Sequence, residues 1–387
     1  MSARLPDDDP DSTDALAGIL AGAFAHPEAP ALADGTSRPL TVGQLASRVR
    51  AVAGGLSRQG FGEGEQLRLA LGPSVTSVTL ALAAVLTGGS AVLDRGGRLH
   101  ARLSGTPNAW VAADSMALVS ATLSRHSSSS RHPSTGSTAA SASPHPGVGW
   151  PTPDRTIHVG AWLPGVPRTA LSLRRLASGA MFDGTVPTSD HPAVTVLRTT
   201  GAVTHTRADL GIAVRWLSRQ VGLESVDGLV TDDPVLGLAA LSVGAQWRIG
   251  PAAPGRRDLA KVSLVGIAGS QVEQTCAALT AAGSTAGVVV RDGPISSDLA
   301  RRVVAERRLF VLSGREGLLP VAVVSGAELV SFDGPGALLG EVVPGVRVLI
   351  DGDRILTRGH RRDGSLGAVD TGLRGRFAGT TLVADTL

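Results

Sequence analysis

From Thr41 to Leu312 the chain alternates apolar runs spaced for helices with runs spaced for strands, joined by short links. This constrains the fold most, because a sheet covered by helices is the arrangement that buries both kinds of face. Thr41 and Gln44 have capping-box spacing, so the first ordered element is expected to begin at Thr41. Leu45, Val49, Val52 and Leu56 then recur at helical spacing until Gly60. Leu67 to Leu71 alternates like a strand, Val75 to Leu86 reads as a small apolar helix, and Ser90 to Leu93 as the next strand. Further strands are expected at Val194 to Leu197, Leu229 to Thr231, Gln246 to Ile249, Val288 to Val290 and Leu309 to Leu312. Helices are expected along Leu210, Val214, Leu217 and Val221, over Val272 to Ala281, and over Ser297 to Arg307. No repeat of fixed period is visible.

Two segments break the pattern. Residues 124–154 are rich in serine, proline, threonine and glycine, a composition that buries too little surface to offset ordering entropy, and are read as a disordered linker. Its histidines, His126, His132 and His145, are read as solvated filler rather than metal ligands. After Phe332, Val346 to Ile350 and Arg354 to Arg358 are β-rich with glycines around them and no helix between them. The expected division is an N-terminal α/β subdomain at 1–123, the linker at 124–154, a second α/β subdomain at 155–331 and a β-rich subdomain at 332–387.

Composition removes several function classes. The formal net charge is +3, and 35 of the 36 basic residues are arginine, Lys261 being the only lysine. There is no tyrosine and one cysteine, so little titrates between histidine and arginine, and the pI near 10.1 reflects that gap. A nucleic-acid partner, which requires clustered basic charge, is therefore not expected. Cys276 alone excludes an internal disulfide framework and a multi-cysteine metal site. No apolar run reaches the roughly 18 residues of a membrane span, and the acidic start does not read as a signal peptide. The expected location is the cytoplasm.

Several segments, in order, resemble the adenylate-forming (AMP-binding) superfamily of acyl-CoA synthetases, nonribosomal-peptide adenylation domains and luciferases. They are Ala31 to Gly35, Leu40 to Leu45, Ala53-Gly54-Gly55-Leu56, Gly60 to Glu65, and Leu80 to Leu86 followed by Gly88 to Asp94. Towards the end, Leu339 to Asp351, Arg354 to Gly359, Asp370-Thr371-Gly372 and Gly375-Arg376-Phe377 continue the resemblance. It implies a layered α/β large domain with a terminal small β-barrel-like subdomain. It also implies ATP-dependent activation of a small carboxylic acid, with ATP, Mg²⁺ and coenzyme A as cofactors. The family's smaller C-terminal domain, with its catalytic lysine, is read as absent, and Lys261 matches no such position.

The site residues follow from the same resemblance. The family's phosphate loop, TSGTTGxPKG followed by TH, corresponds to Leu197-Arg198-Thr199-Thr200-Gly201-Ala202-Val203-Thr204-His205, with the PKG part deleted. Arg198, Thr199, Thr200, Gly201 and Thr204 are the nucleotide-binding candidates, and His205 a catalytic one. A shortened loop offers fewer backbone N–H groups to a phosphate, and arginine's planar fork does not replace a lysine point charge. The family's YGxTE corresponds to Leu312-Ser313-Gly314-Arg315-Glu316, where the tyrosine and threonine are missing; this makes Glu316 the candidate Mg²⁺ ligand and catalytic carboxylate, since hard cations take carboxylate oxygens. The family's ribose anchor is the aspartate of TGD, but here Leu373 follows Gly372, leaving Asp370 as the replacement candidate. Trp216 and Trp247 are read as packing residues and Cys276 as a small apolar one.

Two functions follow. The first is an acid–CoA ligase-like, adenylate-forming protein with degraded ATP-site motifs, completed by a separate protein that supplies the missing domain. The second is a catalytically inactive homologue that binds or scaffolds. A serine hydrolase is disfavoured because no Gly-x-Ser-x-Gly elbow occurs.

Overall fold

The computed structural model describes residues 16, 18–19, 25–35, 38–94, 110–120, 155–184, 190–197, 201–250, 262–291, 293, 295–314, 318–361 and 366–385. The proposed linker, Lys261, Arg198, Thr199, Thr200 and Glu316 lie outside them.

The elements form where the spacing predicts. Helix α1 (Val42–Arg58) starts at the Thr41–Gln44 capping box, and Gly60 follows it at φ +83°. Strands β3 (Gln66–Ala70) and β4 (Ser90–Asp94) flank helix α2 (Val75–Leu86). The predicted strands appear as β8 (Pro192–Leu197), β10 (Gly228–Val230), β11 (Gln246–Ile249), β13 (Gly287–Val290) and β14 (Leu309–Ser313). Helices α4 (Arg207–Gln220) and α6 (Val272–Ala281) also match, while α7 (Ser297–Val304) ends one turn early. Leu210, Val214 and Leu217 form the buried stripe of α4.

One expectation is corrected. Order begins before Thr41: Leu16, Gly18, Ile19 and Ala25 are helical, and β1 (Pro30–Asp34) forms a hairpin with β2 (Leu40–Thr41). Its apolar core, Ala31-Leu32-Ala33, is too short to declare a strand locally. It is held by parallel pairing with β11, more than 200 residues later, where Leu32 faces Trp247.

Pairings define two sheets. In one, β7 (Leu171–Ser172), β6 (Thr156–Val159), β5 (Trp110–Asp114), β3, β4 and β8 lie side by side and parallel, followed by antiparallel β9 (Gly201–Thr206). In the other, β2 and β1 are followed by β11, β10, β12 (Leu264–Ile267), β13 and β14, parallel from β1 onwards.

These orders are the same motif twice. The path β1-β2-α1-β3-α2-β4-β5-β6-β7, which α3 (Leu173–Ala177) follows, recurs as β8-β9-α4-β10-α5-β11-β12-β13-β14, where α5 is Pro234–Ser242 and the second half adds α6 between β12 and β13 and α7 between β13 and β14. Thr206 and Asp209 cap α4 as Thr41 and Gln44 cap α1, and Leu-Ser-Arg-Gln closes both runs, at 56–59 and 217–220. Each half lends its opening hairpin to the other's sheet: β1–β2 joins β11, and β8–β9 joins β4. The exchange ties the halves by backbone hydrogen bonds as well as by their apolar faces.

Helices α2 and α5 carry no charged residue, and both face one core that also includes Leu32, Leu45, Leu67, Leu217, Leu229 and Trp247. A helix without a polar face belongs between layers. Gly237 lets α5 approach closely: a Cβ there would lie 2.1 Å from the Trp247 ring. The Trp247 indole N–H donates to the Thr231 carbonyl at 2.9 Å.

Beyond β14 the parallel order ends. Antiparallel β15 (Ala322–Ser325), β16 (Ala337–Val342) and β20 (Thr381–Ala384) extend the second sheet. Strands β17 (Val348–Asp351) and β18 (Arg354–Arg361) extend the first, β18 pairing with β9. The long strand β19 (Leu366–Ala378) pairs with β18 along its first part and with β20 along its last, so it belongs to both sheets. No described helix is long and apolar enough to cross a membrane.

Candidate functional site

The β8–β9 hairpin carries the first set of candidates. Its tip, 198–200, lies outside the described residues, and Gly201 and Ala202 open β9, pairing with Arg361 and His360 of β18. Thr204 faces Thr195 across the hairpin, their hydroxyls 3.0 Å apart. The neighbouring His205 points to the opposite face, as strand alternation requires. It is buried, and its Nε2 accepts the backbone N–H of Leu318 at 3.2 Å. This bond joins β9 to Leu318; residues 315–317, with Glu316, lie outside the described residues.

Burial pushes the His205 pKa down from 6.5 to about 4, against a smaller upward pull from Asp209. The ring is therefore neutral at pH 7, with a lone pair on Nε2 and the proton on Nδ1. A histidine whose folded pKa lies below its unfolded value adds stability above pH 6.5, and that stability is lost as pH falls towards 4. The window is worth about 3 kcal/mol. We expect His205→Gln to flatten the fall in urea midpoint between pH 6.5 and 4.5, because glutamine accepts the Leu318 N–H without titrating. An unchanged slope would assign the acid sensitivity to other groups.

Asp370 is held elsewhere. Its carboxylate accepts from Arg354 Nε at 3.0 Å and Nη2 at 2.7 Å, and from the Gly372 N–H at 2.8 Å. Arg374 lies 3.5 Å away. Partial burial works against the charge, but the bonds from Arg354 and Gly372 and the two guanidinium charges outweigh it and lower the pKa. Asp370 thus serves as the cross-strand tie of β18 and β19.

Leu373, two residues beyond Thr371, lies close to Gly314. A Cβ built on Gly314 would lie 3.0 Å from Leu373 Cδ1. Gly314 itself has φ +70°, a turn that glycine makes without strain. Ser313, at the end of β14, is wholly buried, so it presents no flat face to an adenine ring. A nucleotide requires a ribose acceptor and a base platform here, and Leu373 and Ser313 supply neither. These residues do not fit the group. Among the described residues no cluster of three or more His, Cys, Asp or Glu could hold a metal ion.

Other polar candidates have structural roles. Cys276 is half-buried on α6, and burial raises its thiol pKa. The buried Ser115 hydroxyl donates to the Val159 carbonyl at 3.0 Å, which commits its proton although His158 Nδ1 lies 3.4 Å away.

The comparisons converge on one fold. A putative long-chain-fatty-acid CoA ligase from Rhodopseudomonas palustris superposes with TM-score 0.71 at 15% identity, over 96% of this chain and 98% of that one. Coronafacic acid ligase from Pectobacterium brasiliense (R395G mutant) gives 0.70 at 11% identity, over 96% and 77%. The N-terminal domain of FACL13 from Mycobacterium tuberculosis gives 0.69 at 14%, over 96% and 99%. No family model and no curated protein matches the sequence. The likeness resides in the fold, at identities where side-chain chemistry is free to diverge.

Proposed function

We propose that this chain, which has the adenylate-forming fold, is an acid–CoA ligase-like protein whose nucleotide site is degraded and which acts as a binding homologue. One observation carries this reading: Leu373 packs against Gly314 where a ribose carboxylate is needed, while Asp370 is engaged by Arg354 and Gly372. A leucine side chain accepts no hydrogen bond, and moving the Asp370 carboxylate would give up its paired bonds to Arg354 and its bond from the Gly372 N–H. The setting we assign is the cytoplasm, consistent with a single free cysteine.

A second reading, ATP-dependent activation of a small carboxylic acid followed by transfer to coenzyme A, is favoured by the hold of His205 on Leu318. There Arg198, Thr199, Thr200, Gly201 and Thr204 would surround the phosphates, and Glu316 would take Mg²⁺. The neutral His205 would stay a positioning group, since its Nε2 is already occupied. A separate protein completing the site belongs to this second reading.

ATP–pyrophosphate exchange with a panel of carboxylic acids separates the two. The binding reading expects no exchange above the acid-free background. Exchange stimulated by any one acid overturns it in favour of activation.

A further inference from the structure

Helices α1 and α3 put arginine on the surface of the first half without acid to match it. Helix α1 carries Arg48, Arg50 and Arg58, α3 carries Arg174 and Arg175, and neither helix holds an aspartate or glutamate. Arg48, Arg58, Arg174 and Arg175 are exposed, and among the described residues none of the four is in an ion pair. The two helices pack together because Gly54 and Gly55 let the 176–182 segment lie flat on α1. Arg58 donates to the Ala180 carbonyl at 2.7 Å and to the Leu176 carbonyl at 3.4 Å. The Phe182 N–H donates to the Arg50 carbonyl at 2.9 Å. Between those anchors Met181 is 55% exposed. The result is an apolar knob beside several guanidinium groups, with Asp183 the one acid from 155 to 184. Exposed methionine beside arginines is the composition of a contact surface.

We infer that this face docks the acidic start of the same chain, residues 7–14, which read Asp-Asp-Asp-Pro-Asp-Ser-Thr-Asp. That stretch carries five carboxylates and no base, the complement of the four exposed arginines. Arginine's planar fork takes a carboxylate through two N–H donors. The reach fits as well. Leu16 lines the same apolar cavity as Val78 of α2, and α2 packs against α1. Packed helix axes lie about 8–10 Å apart. The stretch from Asp7 to Leu16 extends to about 30 Å, enough to pass from α2 across α1 to α3. Exposed ion pairs are individually weak, but a tethered segment meets its site at about millimolar effective concentration, so several weak pairs act together. Because the pairs are exposed, the contact forms at low ionic strength and opens as salt rises.

Phenylglyoxal labelling of arginines, read by mass spectrometry, tests this on the intact chain. The comparison is the variant with Asp7→Asn, Asp8→Asn, Asp9→Asn, Asp11→Asn and Asp14→Asn together, which leaves every described residue in place. At low salt Arg174 and Arg175 should be modified about tenfold more slowly in the parent than in the variant. Arg219, exposed on α4, should react equally in both. The protection should be independent of chain concentration and should vanish at about 1 M salt, where the Debye length falls to about 3 Å. Equal rates in the two chains overturn the inference and leave the face to an anion from outside the chain. Protection that grows with chain concentration assigns the contact to a second copy and overturns it too. Protection that persists at high salt removes charge as its cause, with the same consequence. None of these rates involves nucleotide, so the result is separate from pyrophosphate exchange.

Discussion

Leu373→Asp should bind Mg·ATP at least tenfold more tightly than the parent chain in a calorimetric titration. The variant places a carboxylate beside Gly314, where the parent presents a Cδ1 methyl. A hydrogen bond to a charged group contributes about 1.5–3 kcal/mol, and each 1.4 kcal/mol is a factor of ten. Partial burial of the new carboxylate costs some of that gain, which sets the tenfold floor. The same arithmetic, applied to two or three lost bonds, puts the parent about two to five orders of magnitude below an intact site. Micromolar binding by the parent would remove the degraded-site reading. Asp370→Ala would then show whether Asp370 is the anchor, because the heat signal would vanish with it. A folded Leu373→Asp chain with no gain would place the nucleotide elsewhere.

Trp247→Ala should destabilise the chain by about 3–5 kcal/mol, read as a fall in denaturant midpoint. The indole is buried in the core shared by both halves, and its N–H bond to the Thr231 carbonyl disappears with it. The same ring makes Gly237 obligatory, since a Cβ there would sit 2.1 Å from it. Gly237→Ala should therefore destabilise the parent by about 1–3 kcal/mol through overpacking. In the Trp247→Ala background it should cost little, because the added methyl enters vacated space. Additive effects in this double-mutant cycle would show that the close approach of α5 to β11 is not what demands the glycine.

Local signals located most elements. The capping box at Thr41 and Gln44, the spacing from Leu45 to Leu56 and the run from Val75 to Leu86 are properties of a few neighbouring residues, and the structure matches them. Elements without such a signal were missed. Helix α5 reads Pro-Val-Leu-Gly-Leu-Ala-Ala-Leu-Ser, apolar on every side, so no periodicity distinguishes it from a buried strand. Strands β5, β6 and β12 are four or five residues long and became strands through partners far away in sequence. The repeated path was invisible for a related reason. Its halves share a strand order and a capping box each, while most side chains between differ.

The candidate site divides the same way. That the Leu373 side chain cannot accept a hydrogen bond follows from residue identity. That Asp370 is engaged by Arg354, that His205 is neutral and holds Leu318, and that Leu373 lies against Gly314 depend on strands and turns meeting across the molecule. The sequence alone therefore determined the layered α/β class and most helices and strands, because each is set by side-chain type and short spacing. Only the tertiary structure decided the exchange of hairpins, the strand at Pro30–Asp34 and the partners of Asp370 and His205. Those depend on pairing and packing between segments more than 200 residues apart in the longest case, where no local pattern specifies the partner.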